Sequence, residues 1–311
     1  MTKMHRTVFS RILRPAPGRN FRIMLAAVCI CCSICLVLCL QTFAWEPAGF
    51  LDSAYHEELA YDYGNARIDM SAVSSGYVAV SAYSNNRLKF QVLKDDITYT
   101  YDIHSDGTPS ILPLQSGSGI YQVRILENVQ DTKYAMLYSC EIQVEVDDEF
   151  QPYLRPNDYA SYREDSECIR KAEELAAPCE SALDVVTAIY DYITSNIVYD
   201  QEKAATVQSG YLPVPDETLA TGKGICFDYA SLAAAMLRSQ GIPAKVIFGY
   251  VSPGDLYHAW NMFYTEQTGW VTVDYHVSGK EWNRLDLTFA ANGADSTFIG
   301  DGSNYSDLYY Y

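Results

Sequence analysis

The chain has 311 residues, 49% of them hydrophobic and 20% charged, with a formal net charge of −17. That composition holds material for one large core or two ordinary ones and excludes a disordered chain. A phosphate-binding surface is excluded as well. The first 22 residues carry Lys3, Arg6, Arg11, Arg14, Arg19 and Arg22 and no acid, which leaves 16 basic against 39 acidic residues, about −23, for the rest. Nucleic-acid binding needs the opposite sign, so no nucleic-acid partner is expected.

The basic segment leads into Ile23–Leu40, 18 residues without a charge. This run exceeds the usual apolar stretch of a signal peptide and is just long enough to span a bilayer. Basic residues before it and Glu46, Asp52, Glu57 and Glu58 after it put the N-terminus inside. Residues 1–44 are therefore expected to be a cytoplasmic basic segment followed by a signal peptide or membrane anchor, with Thr42-Phe43-Ala44 as a weak cleavage site. The remainder is expected to be extracytoplasmic, secreted or held by the N-terminal segment in the membrane. Cys29, Cys31, Cys32, Cys35 and Cys39 fall in the apolar run and behave there as small apolar residues. Cys140, Cys168, Cys179 and Cys226 lie outside it, and an oxidising compartment allows them two disulfides in three connectivities.

Residues 45–64, acidic and tyrosine-rich, read as a linker. From 65 to 150 the chain breaks into short alternating runs: "GYVAVSAYS", "LKFQVLK", "ITYTYDI", "GIYQVRIL" and "CEIQVEV". These are separated by turn signals such as "SDGTPS" and "QSGSG", the pattern of a small antiparallel sandwich. It gathers no catalytic residue types and reads as a spacer or binding module. Residues 151–311 form the second domain. Helices are predicted over Ser161–Ala176 and Glu180–Ile197, with Leu183, Val186, Ile189, Ile193 and Ile197 as a core-facing stripe. Over 20 residues of loop follow, without strong periodicity.

Next comes "GKGICFDYASLAAAMLRSQGIPAK", residues 222–245, which predicts a helix from Cys226 to Ser239, a left-handed stop at Gly241 and a strand over 244–251. A second strand carries "HAWNMFY", with a turn at Thr265–Gly269. A cysteine in the first turn of a helix meets unpaired N–H groups and the positive end of the helix dipole. Both stabilise a thiolate, and the same N–H groups hold an oxyanion when the thiolate attacks an acyl carbon. Gly222 and Gly224 are expected to let a substrate backbone come close. Asp228, in the same turn, opposes a second negative charge, which an imidazolium from His258 has to outweigh. An acid then orients the imidazole, and either Asp274 or Asp286 stands at the end of a suitable strand. Hairpin geometry around Thr265–Gly269 favours Asp274. Against this stand a buried thiol, a disulfide and a core histidine. No metal-ligand spacing, calcium loop or phosphate-binding loop is present, and no cofactor is expected.

"KGICFDYASLAAAMLRSQGIPAKVIFGYV", then "YHAWNMFY", then "WNRLDLTF" together resemble the transglutaminase-like domain of bacterial exported proteins over roughly residues 150–311. The resemblance implies an α+β, papain-like fold in which a helix headed by the cysteine packs on an antiparallel sheet. Cys226 matches the family nucleophile and His258 its general base. For the acid, Trp282-Asn-Arg-Leu-Asp286-Leu-Thr-Phe289 fits the family's W-x-x-[LMV]-D-P-T-F ending with Leu287 in place of proline, so the resemblance selects Asp286. Tyr211 is a guess for an oxyanion donor. With Cys226 assigned as nucleophile, a disulfide suits Cys168 and Cys179 better. It requires the helices to fold back, since positions 11 apart on one helix are ~16 Å distant. The implied activity is attack of the thiolate on an amide carbonyl of a protein or peptide, through a thioester. Hydrolysis is preferred over cross-linking of the protein-glutamine transglutaminase kind. A cell-wall or surface polymer is a further candidate partner, and a non-enzymatic surface scaffold the remaining alternative.

Overall fold

A computed structural model describes residues 45–252, 254–266, 268–271, 287–292 and 304–311. The expected membrane or signal segment and both candidate acids, Asp274 and Asp286, lie outside the described residues. Among the described residues no helix is long and apolar enough to cross a membrane.

The N-terminal part is built from two four-stranded antiparallel sheets. One holds β1 (Tyr61–Asp62), β2 (Ala66–Asp69), β3 (Tyr77–Ala82) and β6 (Ser110–Pro113), in the order β1-β2-β3-β6. The other holds β4 (Leu88–Lys94), β5 (Ile97–Ile103), β7 (Gly119–Gln130) and β8 (Lys133–Val144), in the order β5-β4-β7-β8. Alternation decides which side is buried: Leu88, Phe90 and Val92 of β4 are covered, whereas Lys89 and Gln91 between them are partly solvated. These residues and Ile68, Val78, Val80 and Leu112 of the first sheet belong to one continuous core. The β7–β8 hairpin runs further than the sequence pattern suggested. Its twelve-residue strands turn at Asp131-Thr132, with Asp131 in the left-handed region at φ 50°.

Helices α1 (Glu167–Ala176) and α2 (Ala182–Asn196) follow. The first starts later than predicted because the Asp216 carboxylate, arriving from 49 positions away, accepts from the N–H groups of Glu167 and Cys168 and fixes the start there. On α2 the predicted stripe is in place, with Val186, Ile189 and Ile193 buried. The segment read as structureless loop contains two short helices, α3 (Gln201–Thr206) and α4 (Pro215–Thr221). Asp200 caps α3 by accepting from Lys203 N–H at 2.9 Å, and Pro215 opens α4 at a position where no N–H is needed.

Helix α5 (Cys226–Ser239) has the predicted bounds and is central: every residue from Phe227 to Ser239 is buried. Its end is a Schellman motif, with Ile242 N–H donating to Leu237 C=O, Gly241 N–H to Arg238 C=O, and Gly241 at φ 73°. The helix packs on a third antiparallel sheet of β11 (Ala244–Val251), β12 (Leu256–Thr265), β13 (Gly269–Val271) and β14 (Tyr305–Tyr310), in the order β13-β12-β11-β14. Asn261 Nδ2 donates to Ala230 C=O at 2.9 Å and to Lys245 C=O at 3.0 Å, tying β12 to the helix and to β11.

Many of the 26 tyrosines knit the parts together rather than cover sheet faces. Tyr311 stacks on Tyr159 at 3.9 Å and meets Tyr99 and Tyr101 of β5 and Phe248 of β11 edge-on. Each such pair adds about 0.5–1.5 kcal/mol to the area buried. Arg238, 2% exposed, donates to the carbonyls of Ala244, Arg155 and Tyr311. Burial pushes it down to about 10, and it joins the end of α5 to the interdomain segment and the last strand. The four cysteines among the described residues are free thiols. The suggested Cys168–Cys179 bridge is absent: they sit at the two ends of α1, and Cys179 Sγ donates to Leu175 C=O instead. Burial, then Asp216, pushes the Cys168 thiol well above the ordinary range.

Candidate active site

The start of α5 is set by a short parallel pair. Helix α4 ends at Gly222, left-handed at φ 64°, and β10 (Lys223–Gly224) then pairs with β9 (Val198–Tyr199). Ile225 is extended and Cys226 begins the helix. The first intrahelical bond runs from Tyr229 N–H to Ile225 C=O, so the amides ahead of it remain as donors at the helix mouth. Asp228 folds back and accepts from Ile225 N–H at 2.7 Å. Here the expectation for Gly224 needs correction. A Cβ there would lie 2.6 Å from the Asp228 Cβ, so the glycine accommodates the capping carboxylate rather than a substrate backbone.

Asp228 is wholly buried, and its charge is compensated on the spot. Lys203 Nζ of α3 lies 2.8 Å from Oδ2, and Tyr211 OH donates to Oδ1 at 2.5 Å. Lys203 also donates to Tyr211 OH at 2.6 Å. The unfavourable field expected from Asp228 on Cys226 is thus offset by a lysine 25 positions earlier, and His258 does not have to outweigh it alone. Burial, then Asp228, pushes the Tyr211 phenol well above its ordinary value. Its single proton is directed at Asp228, which removes Tyr211 as an oxyanion donor and makes it a tether for the loop before α4.

His258 stands on β12 opposite Gly249 of β11, is 4% exposed and stacks near Trp260 (6.1 Å, 27°). Gly249 allows this crowding: a Cβ there would lie 2.0 Å from Ser306 C=O of β14 and 2.7 Å from the Trp260 ring. Cys226, partly exposed, and His258 line one cleft of about 400 Å³. The sequence reading found these two residues but missed the rest of the wall. Thr100 and Asp102 of β5, Phe248 and Tyr257 of the sheet, and Tyr309 of β14 also line it. The first sheet domain therefore contributes to the cleft directly and is more than a spacer. Thr100 and Asp102 fall at polar positions of the alternating run "ITYTYDI", and alternation alone does not tell solvent from cleft. Among the described residues no group of three or more His, Cys, Asp or Glu side chains is arranged to hold a metal.

Residues 169–275, about a third of the chain, match the family model of the transglutaminase-like superfamily. A protein-glutamine gamma-glutamyltransferase of Pseudomonas aeruginosa is 36% identical over 108 residues, covering 30% of this chain and 15% of that protein. The uncharacterized protein YebA of Bacillus subtilis is 29% identical over 120 residues, covering 33% and 16%. The matched stretch thus spans about one sixth of the length of these relatives. Among solved structures, red sea bream transglutaminase aligns over 71% of this chain and 54% of its own, at 14% identity and a TM-score of 0.29.

Proposed function

Given that residues 169–275 are a transglutaminase-like domain, we propose that the protein is an extracytoplasmic thiol enzyme that transfers acyl groups from protein or peptide amides. The observation that carries this reading is the meeting of Cys226, at the mouth of α5, with His258 in one cleft. The Cys226 thiolate attacks the amide carbonyl while the free amides at the helix start hold the oxyanion. His258 passes a proton to the departing amine, leaving a thioester on Cys226. Water activated by His258 then releases the acid, or an amine takes the acyl group. Hydrolysis is the favoured outcome. Among the described residues Asp102 is the carboxylate that lines the cleft, and it is already paired with Lys89 at 3.1 Å rather than standing open to a lysine acceptor.

For the orienting acid, the matched span ends at residue 275, taking in Asp274 and leaving out Asp286. The β12–β13 register, Phe263 opposite Val271, is also that of the hairpin on which Asp274 was argued. Both points favour Asp274 over Asp286. The test is to incubate the full-length protein and its Asp274→Asn and Asp286→Asn variants with glutamine-containing peptides, with and without a primary amine, and to follow products by mass spectrometry. Cleaved or deamidated peptide marks hydrolysis, and an amine adduct marks cross-linking. Asp274→Asn is expected to lower kcat/KM by roughly 10²–10⁴, and Asp286→Asn to leave it within a few-fold. The reverse order would restore Asp286, and no turnover of any peptide would sink the enzymatic reading.

A further inference from the structure

Single exposed apolar side chains are common on protein surfaces, whereas a contiguous group of them beside a cleft marks a place where something binds. Three exposed tyrosines gather where the third sheet reaches the cleft. Tyr250 and Tyr257 are paired across β11 and β12, and Tyr309 of β14 pairs with Phe248. Tyr250 is 41%, Tyr257 52% and Tyr309 36% exposed. Tyr257 and Tyr309 line the same cleft as Cys226.

These rings are held from behind. Tyr257 stacks on Phe248 at 5.9 Å, Phe248 meets Phe227 of α5 at 4.8 Å, and Tyr309 meets Tyr99 of β5 at 5.8 Å. A rim fixed in this way loses little conformational freedom when something packs on it. Charge selects the occupant. The protein is strongly acidic, yet among the described residues the carboxylate in the cleft wall, Asp102, is paired with Lys89 and Arg87. A cationic side chain finds no open carboxylate among those described lining residues, and an anionic one meets the field of the whole molecule.

We propose that the Tyr257–Tyr309 rim is a specificity subsite that takes an aromatic or large aliphatic side chain of a peptide substrate, next to the carbonyl presented to Cys226. The inference rests on the proposed role of Cys226 and adds the class of substrate. The first sheet domain then acts in selection, since Thr100 and Asp102 of β5 line the same cleft and Tyr99 of that strand supports Tyr309.

The experiment uses four tripeptide chloromethyl ketones, Ala-Ala-Xaa with phenylalanine, leucine, aspartate or lysine next to the reactive carbon, and iodoacetamide as a reagent with no side chain. The rate of label arriving at Cys226 of the full-length protein is read by mass spectrometry. The phenylalanine and leucine reagents are expected to react roughly 10- to 100-fold faster than the aspartate and lysine reagents. In Tyr257→Ala and Tyr309→Ala that ratio is expected to fall at least about threefold. Equal rates for all four peptides beside ready labelling by iodoacetamide would overturn the subsite and leave the thiol chemistry standing, whatever else covers the rim. A faster lysine reagent would also overturn it, in favour of a cationic substrate. Failure of iodoacetamide to label the folded protein would overturn the reading on which the subsite depends.

Discussion

Cys226→Ala is expected to abolish acyl transfer, lowering kcat/KM by about 10⁴-fold or more while the protein stays folded. Removal of a nucleophile acting with its base costs about as much as removal of the whole unit, because neither functions without the other. The fold should tolerate the change. Cys226 is only partly buried and the helix start is secured by Asp228 and Ile225, so the loss of stability should stay within about 1 kcal/mol. Turnover of the glutamine peptides, with the urea midpoint measured alongside, checks both halves. Activity surviving in Cys226→Ala would remove the thiol from the chemistry.

The second large effect concerns stability. Lys203→Met is expected to destabilise the protein by about 2–3 kcal/mol, because it leaves the Asp228 carboxylate buried without its counter-charge. Loss of one partner from a buried pair typically costs about 3–5 kcal/mol. The lower figure applies here because Tyr211 and Ile225 still donate to Asp228 and the lysine itself is partly exposed. Asp228→Asn on the same background should recover part of the loss, with a coupling between the two sites of at least about 1 kcal/mol. Urea unfolding of the two single variants and the double variant measures this directly. Strict additivity would mean that the pair carries no net interaction. Lys203→Met should also slow alkylation of Cys226, since the uncompensated carboxylate then lies in the first turn of the helix that Cys226 opens.

The bounds of α5 were readable because its signals are local: a cysteine after two spaced glycines, an apolar run, then Gly241 and Pro243. The short helices α3 and α4 were not, because six or seven residues hold too few turns for a periodic pattern. Their caps, Asp200 and Pro215, were the only cue. The role of Lys203 was invisible for a different reason. Its partner is 25 positions away, and a lone lysine in a polar stretch carries no mark of burial. The same holds for the cleft wall, where Thr100 and Asp102 lie more than 120 positions before Cys226. Local pattern thus located the nucleophile and its base, whereas charge compensation and cleft shape depend on which distant segments meet.

The most direct test of the paired thiol and imidazole is alkylation of the full-length protein by iodoacetamide as a function of pH, with Cys226→Ala and His258→Ala as comparisons and the labelled residue identified by mass spectrometry. The expected result is rapid labelling of Cys226 below about pH 7, where an ordinary thiol is largely protonated, slowed by His258→Ala. Labelling of Cys226 only after unfolding or reduction, or at a rate indifferent to His258, would contradict it and leave the cleft without its nucleophile.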